Sequence, residues 1–243
     1  GYNDLTPQQW PIFESGKSAK RIFSDGRFCH ADGKARFIPV DYIEPQFSVD
    51  KQYPLVLNTG RIRDQWHTMT RTGLAPTLGG HTPEPFIDIH PYDALLAGIR
   101  EHELARISSQ WGSVIARVVC SGNQRRGQVF VPIHWTGQTA SDARVGALVN
   151  PVVDAVSGEP EFKHTPVRIE PFFVRWQGLA FSRTALALKS ANWWTRIQTQ
   201  EAFRYELAGR KRLTNAGEHA KKLLMEDDEA LVQLLSQHQA DWL

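Results

Sequence analysis

Residues 53–73, YPLVLNTGRIRDQWHTMTRTG, decide how the rest of the chain is read. The stretch opens with an apolar run over 53–57 that reads as a strand, and Asn58-Thr59-Gly60 breaks it. The loop that follows is dense in donors: Arg61, Arg63, Gln65, Trp66, His67, Thr68, Thr70, Arg71 and Thr72. A strand running into a glycine turn exposes consecutive backbone N–H groups. Arginine forks and threonine hydroxyls beside them are the means of gripping phosphates. Arg61, Arg63, His67, Arg71 and His81 have a single acid, Asp64, among them. Such a cluster repels itself unless an anion or another domain neutralises it. The loop is therefore read as the holder of a phosphate-bearing cofactor.

Working outward, residues 86–89 read as a strand and His90-Pro91 starts a short helix that Gly98 ends. Residues 104–108 and 113–119 read as strands separated by a Ser109-Gln110-Trp111-Gly112 hairpin connection, and 129–133 is a further apolar strand. Residues 74–85 are rich in Gly, Thr and Pro and predict no regular structure, while 136–165 form a polar excursion before a closing strand over 167–170. Several short strands with one short helix point to a closed β-barrel and away from a fold of alternating long helices. No G-x-G-x-x-G or G-x-x-x-x-G-K-[ST] sequence is present, which removes the commonest nucleotide-binding alternatives.

On the N-terminal side, residues 1–50 are interrupted by prolines, and Asp32-Gly33 predicts a hairpin turn between 28–30 and 35–39. Cys29 and His30 are adjacent, so on a strand they face opposite ways and make a poor metal pair. On the C-terminal side, Trp176, Leu179, Arg183, Leu186 and Trp193 fall at helical spacings. Leu224, Leu231, Leu234 and Leu235 do so again after Asp227 or Asp228 as a cap. The expected organisation is an irregular lead-in over 1–50, a barrel over 51–173 and a small helical appendage over 174–243.

Composition limits the function. Across 243 residues, 41% hydrophobic and 22% charged content is globular, and 28 Lys plus Arg against 26 Asp plus Glu leave a net charge of +2. Any anion site must then be local. Two cysteines are too few for a thiolate zinc site or a cysteine-bound iron–sulfur cluster. No apolar run reaches the ~20 residues of a membrane helix. A first residue that is Gly and not Met reads as a piece of a longer polypeptide.

The segment Thr59-Gly60-Arg61-Ile62-Arg63-Asp64-Gln65-Trp66-His67-Thr68 resembles the TGR-x-x-x-x-WHT stretch in the C-terminal domain of molybdopterin oxidoreductases, most closely assimilatory nitrate reductases. The likeness continues in order through Ile89-His90-Pro91-Tyr92-Asp93-Ala94, through residues 129–135 (VFVPIHW) and through residues 160–168 (PEFKHTPVR). The resemblance implies a double-psi β-barrel and a molybdopterin guanine dinucleotide held by those ten residues, Thr59 to Thr68, together with His134, Trp135 and Lys163. It implies no catalytic residue and no metal ligand in this chain. Nitrate reduction would belong to a molybdenum centre, with an iron–sulfur cluster in N-terminal domains of the same polypeptide, an electron-donor protein or subunit as partner, and a cytoplasmic setting. The isolated chain is then expected to be inactive, without nucleic-acid or membrane partners.

Some readings stay open at this level. Asp64 can pair with an arginine or accept from a guanine or pterin amine, and His134 and Trp135 can line the site or pack its rim. Lys163 can touch the cofactor or be solvated. Gly146 stands where the family carries a cofactor-contacting Asn, so that contact is not carried over, and whether Asn150 replaces it stays open. The parent could instead be a periplasmic nitrate reductase or a formate dehydrogenase. The basic and aromatic interleaving of residues 61–71 would also suit a single-stranded nucleic-acid groove.

Overall fold

The computed structural model describes residues 2–4, 6–18, 21–188, 191–212 and 231–236. Its chain divides into two compact units, Gly1–Glu44 and Pro45–Leu243.

In the first unit the expected hairpin does not form. Phe28 N–H donates to the Gly33 carbonyl and Gly33 N–H to the His30 carbonyl, both at 2.8 Å, with Gly33 at φ +70. This closes a local turn, but its flanks pair as no strand. The downstream flank lacks a buried face: Phe37 is 95% and Ile38 78% exposed, so alternation gains nothing from pairing.

The second unit is built on a closed six-stranded barrel, in the order β1-β5-β2-β4-β3-β6. The strands are β1 (Leu55–Gly60), β2 (Phe86–Ile89), β3 (Leu104–Ser108), β4 (Ser113–Cys120), β5 (Gln128–Pro132) and β6 (Thr165–Pro171). β1/β5 and β2/β4 pair parallel, whereas β2/β5, β3/β4, β3/β6 and β1/β6 pair antiparallel. Strand alternation fills the interior: Leu55, Leu57 and Thr59 of β1 are buried while Val56, Asn58 and Gly60 face outward. Inward side chains of the other strands, including Ile87, Ile107, Val118 and Val129, complete the core.

α2 (Pro91–Leu96) follows β2 as expected. His90 caps it by accepting the Tyr92 N–H at 3.1 Å, and Gly98, at φ +67, ends it. Residues 74–85 depart from the expectation. They hold α1 (Pro76–His81), started by proline at its first turn, after a 3-10 turn over Thr72–Leu74.

The helical appendage is corrected more sharply. β7 (Trp176–Ser182), β8 (Trp193–Gln198) and β9 (Phe203–Gly209), with β10 (Leu231–Ser236), form an antiparallel sheet in the order β10-β7-β9-β8. Along β7, Trp176, Gly178, Ala180 and Ser182 are buried and their neighbours are not, a period of two. The helical spacing read from Trp176, Leu179 and Arg183 mixed both faces of a strand with the turn after it. Leu231, Leu234 and Leu235 pair across β10 with β7; Leu224, Asp227 and Asp228 lie outside the described residues. Trp193 and Ala208 pack with Leu104, Ile115, Phe172 and Val174, and the Trp193 indole N–H donates to the Ile115 carbonyl at 3.1 Å. Sheet and barrel thus share a core. No helix among the described residues is long and apolar enough to cross a membrane.

Candidate functional site

The parallel pair β1/β5 ends in a groove on its outer face. Asn58 lies opposite Phe130 in the register, so β1's outward Asn58 and Gly60 meet the Phe130 ring across it. A Cβ built on Gly60 would lie 2.8 Å from Phe130 Cε2, a contact side chains do not tolerate. The residue-162–164 turn closes the groove from above. Buried Thr59 donates its hydroxyl to the Phe162 carbonyl at 2.9 Å, and the Lys163 ammonium donates to the Thr59 carbonyl. The resulting cavity, about 580 Å³, is lined by Asn58, Gly60, Phe130, Lys163 and His164 among others.

Asn150 holds that turn in place. Only 3% exposed, it donates its amide to Glu161 Oε2 at 3.0 Å and the His164 carbonyl at 2.8 Å, and accepts the Val152 N–H at 2.9 Å. Its polar atoms are spent on the loop that carries Lys163 and His164, so it positions the groove and does not reach into it. Gly146 is the exposed residue of the 3-10 turn Val145–Ala147, whose Val145 is buried in the core, and nothing lies within 4 Å of a Cβ built on it.

The donor loop after β1 is folded over His134. That imidazole is fully buried; Nε2 accepts the Ile62 N–H at 2.9 Å, and Nδ1 lies 2.6 Å from the His67 carbonyl, to which it donates. This pattern requires the neutral ring with its proton on Nδ1. Burial pushes its pKa down; the His67 carbonyl partly offsets this, and the Arg61 charge adds to the lowering. His67 and Met69 take left-handed backbone, at φ 44 and 63, which costs a side-chain-bearing residue roughly 1–2 kcal/mol. Met69 is held there by packing, in a buried cluster with Trp135, Ala140 and Ala143 against which Ile62 rests, and His67 by its carbonyl's bond to His134. Thr72 finishes the loop by donating its hydroxyl to Gln65 Oε1 at 2.7 Å and accepting the Trp66 N–H at 3.1 Å.

The cationic side chains of the loop separate into two arrangements. Arg63 grips Asp64 with two bonds, at 2.9 and 3.0 Å, and His81 Nδ1 approaches Asp64 Oδ2 at 3.1 Å. The Arg63 bond is the main cause holding the Asp64 carboxyl below the usual range. Asp64 therefore pairs with an arginine. Arg61 instead lies 4.4 Å over the ring of Trp66, which is 54% exposed.

Of the residues singled out in the sequence, Thr59, Gly60 and Lys163 come together at the groove. Arg61, Ile62, Arg63, Asp64, Gln65, Trp66, His67 and Thr68 form the adjoining loop. Gln65 and Thr68 turn toward a smaller hollow of about 180 Å³ shared with Gln138 and Arg196. His134 and Trp135, 0% and 1% exposed, lie beneath the loop: both His134 nitrogens are committed to it, so the ring supports the site from below. Asn58, Phe130 and His164 were missed. The outward position of Asn58 follows from alternation along β1, but Phe130 and His164 required the register and the turn.

Residues 55–166, from β1 to the start of β6, match the model of the Molydopterin dinucleotide binding domain. The chain belongs to this molybdopterin dinucleotide-binding family. Within it, the chain is 41% identical over 208 residues (86% of this chain, 24% of the relative) to a nitrate reductase of Klebsiella oxytoca. It is 32% identical over 205 residues (75% and 22%) to a nitrate reductase of Shewanella frigidimarina. To the F420-dependent formate dehydrogenase subunit alpha of Methanocaldococcus jannaschii it is 32% identical over 161 residues (66% and 23%). The chain spans about a quarter of the length of these relatives.

Proposed function

We propose that this chain is the part of an assimilatory nitrate reductase that holds one end of a molybdopterin guanine dinucleotide, working with N-terminal domains of the same polypeptide in the cytoplasm. The observation that carries the reading is the 41% identity extending over 86% of the chain to a nitrate reductase. The residues present fit the group. Gly60 lets the Phe130 ring close against β1 as a wall of the groove, and Lys163, His164 and Asn58 bring an ammonium, an imidazole and an amide to one cavity. That donor set suits phosphate oxygens and the carbonyl edge of a pterin. The two parallel pairs, β1/β5 and β2/β4, support a double-psi crossing of the barrel.

When bound, the cofactor supplies the two-electron redox chemistry through its molybdenum. The chain's residues position it: Lys163 and Arg61 offer charge, Trp66 an exposed ring face, and His134 fixes the loop that presents the last two. Formate dehydrogenase is the second reading, favoured by the 32% identity over 66% of the chain. Nitrate and formate turnover by the complete enzyme separates the two.

The cofactor reading is tested in that complete enzyme with Lys163→Ala and Gly60→Val. Each should lower molybdenum and pterin content per polypeptide. Loss of one charge-assisted contact costs about 1.5–3 kcal/mol, roughly tenfold or more in affinity. Full occupancy in both variants would overturn the assignment. The isolated chain should reduce no nitrate; measurable turnover by it would contradict the dependence on other domains.

A further inference from the structure

The opposite end of the same parallel pair, where β1 begins at Leu55 and Gly127 leads into β5, carries a second cavity that shares no residue with the cofactor groove. It measures about 620 Å³ and is lined by Lys51, Arg126 and Arg168 together with Leu55, Leu96 and Ile169. The acid in its lining, Asp93, is 8% exposed and accepts the Gly127 N–H at 2.6 Å, so its charge is turned into the fold. Beside the cavity, α2 presents Tyr92, Leu95 and Leu96 at 45, 74 and 71% exposure. Arg126 is set by stacking 3.8 Å over the Tyr92 ring.

We propose that this end of the barrel docks a peptide segment of another polypeptide whose apolar side chains are flanked by carboxylates. Exposed apolar groups bordering a polar rim mark contact surfaces, and arginine and tyrosine are over-represented among the residues that anchor them. The charge selects the partner: cations from three separate segments meet one inward-turned carboxylate, which favours an acidic chain and repels a basic one. Length selects a peptide over a small anion. Leu95 lies outside the cavity lining, so the apolar strip runs past what a compact ligand covers.

Fluorescent short peptides titrated into the full chain test this. One alternates Leu and Phe with Glu; a second replaces each Glu with Lys; a third keeps Glu and replaces the apolar residues with Ser. The first should bind roughly tenfold or more tighter than the other two, and weaken as salt is raised. The double variant Arg126→Glu, Arg168→Glu should reverse the preference between the Glu and Lys peptides. That reversal also reports an intact fold, and Leu96→Asp should weaken both. Equal binding of the Glu and Lys peptides, binding by the Ser peptide as tight as by the first, or an unchanged preference in the double variant would overturn the proposal. None of these outcomes depends on the cofactor.

Discussion

The barrel and the C-terminal sheet are both made of short strands, yet they declare themselves differently. Barrel strands are framed by turn residues, and β1 alternates buried with outward positions: Leu55, Leu57 and Thr59 go inward, Val56, Asn58 and Gly60 outward. In the sheet, β7 alternates large with small, and its fit lies across strands. Trp176 pairs with Gly209, and a Cβ on Gly209 would come within 2.1 Å of the indole. In the barrel the buried side chain identifies the strand. In the sheet the empty place opposite does so, and that place is on another segment.

The sharpest way to break this comparison is Trp193→Ala. Trp193 is fully buried, packs on Leu104 and Ile115 and donates to the Ile115 carbonyl. Its loss should cost about 3–5 kcal/mol. Calorimetry should still show a single transition, because sheet and barrel share that cluster. A surviving transition near the wild-type temperature would mean the barrel stands without the sheet.

Gly209→Ala is the next test. Overpacking against Trp176 should cost about 1–3 kcal/mol, read as a lower urea midpoint at unchanged slope. Gly146→Ala, with open space around its Cβ, should leave the midpoint where it was. Adding Trp176→Leu to Gly209→Ala should recover part of the loss; strict additivity would deny that the two residues couple.

The smallest effect is a pH slope from the barrel side. His134 has its folded pKa held below the ordinary 6.5, so below that pH the unfolded chain binds the extra proton first. Stability from this group is complete above pH 6.5 and is lost as pH falls from there toward the folded value. Protonating Nε2 also breaks the bond from Ile62, so amide exchange at Ile62 should speed up over the same range. A flat profile, matched by His134→Gln, would remove His134 as the loop's support.

Much of the barrel could be read in advance because its cues are local. Pro91 and Gly98 bound α2, the Ser109-Gln110-Trp111-Gly112 turn joins β3 to β4, and period-two alternation marks β1 and β2. The 28–39 hairpin failed for the opposite reason: its turn chemistry was right, but Phe37 and Ile38 had no face to bury. Trp176 and Trp193 misled because aromatic residues at three- and four-residue steps also satisfy a strand, a turn and a second strand. In the site, the donor-rich loop was legible as a composition, while the division of labour within it was not. Asp64 beside Arg63 is a local cue for that pair, but nothing local lays Arg61 on Trp66.

By itself the sequence determined that a β-rich domain carries a donor loop after its first strand and belongs with molybdopterin-binding proteins, because alternation, turn residues and short motifs act over a few neighbouring positions. Only the tertiary structure decided that the strands from Trp176 onward form a sheet, that His134 lies under the loop, and that Gly60, Phe130 and Lys163 enclose one cavity. Those facts depend on register and burial between segments as many as a hundred residues apart, as Thr59 and Phe162 are. Free energy at such contacts comes from which partner is brought opposite, and a residue's own chemistry does not name its partner.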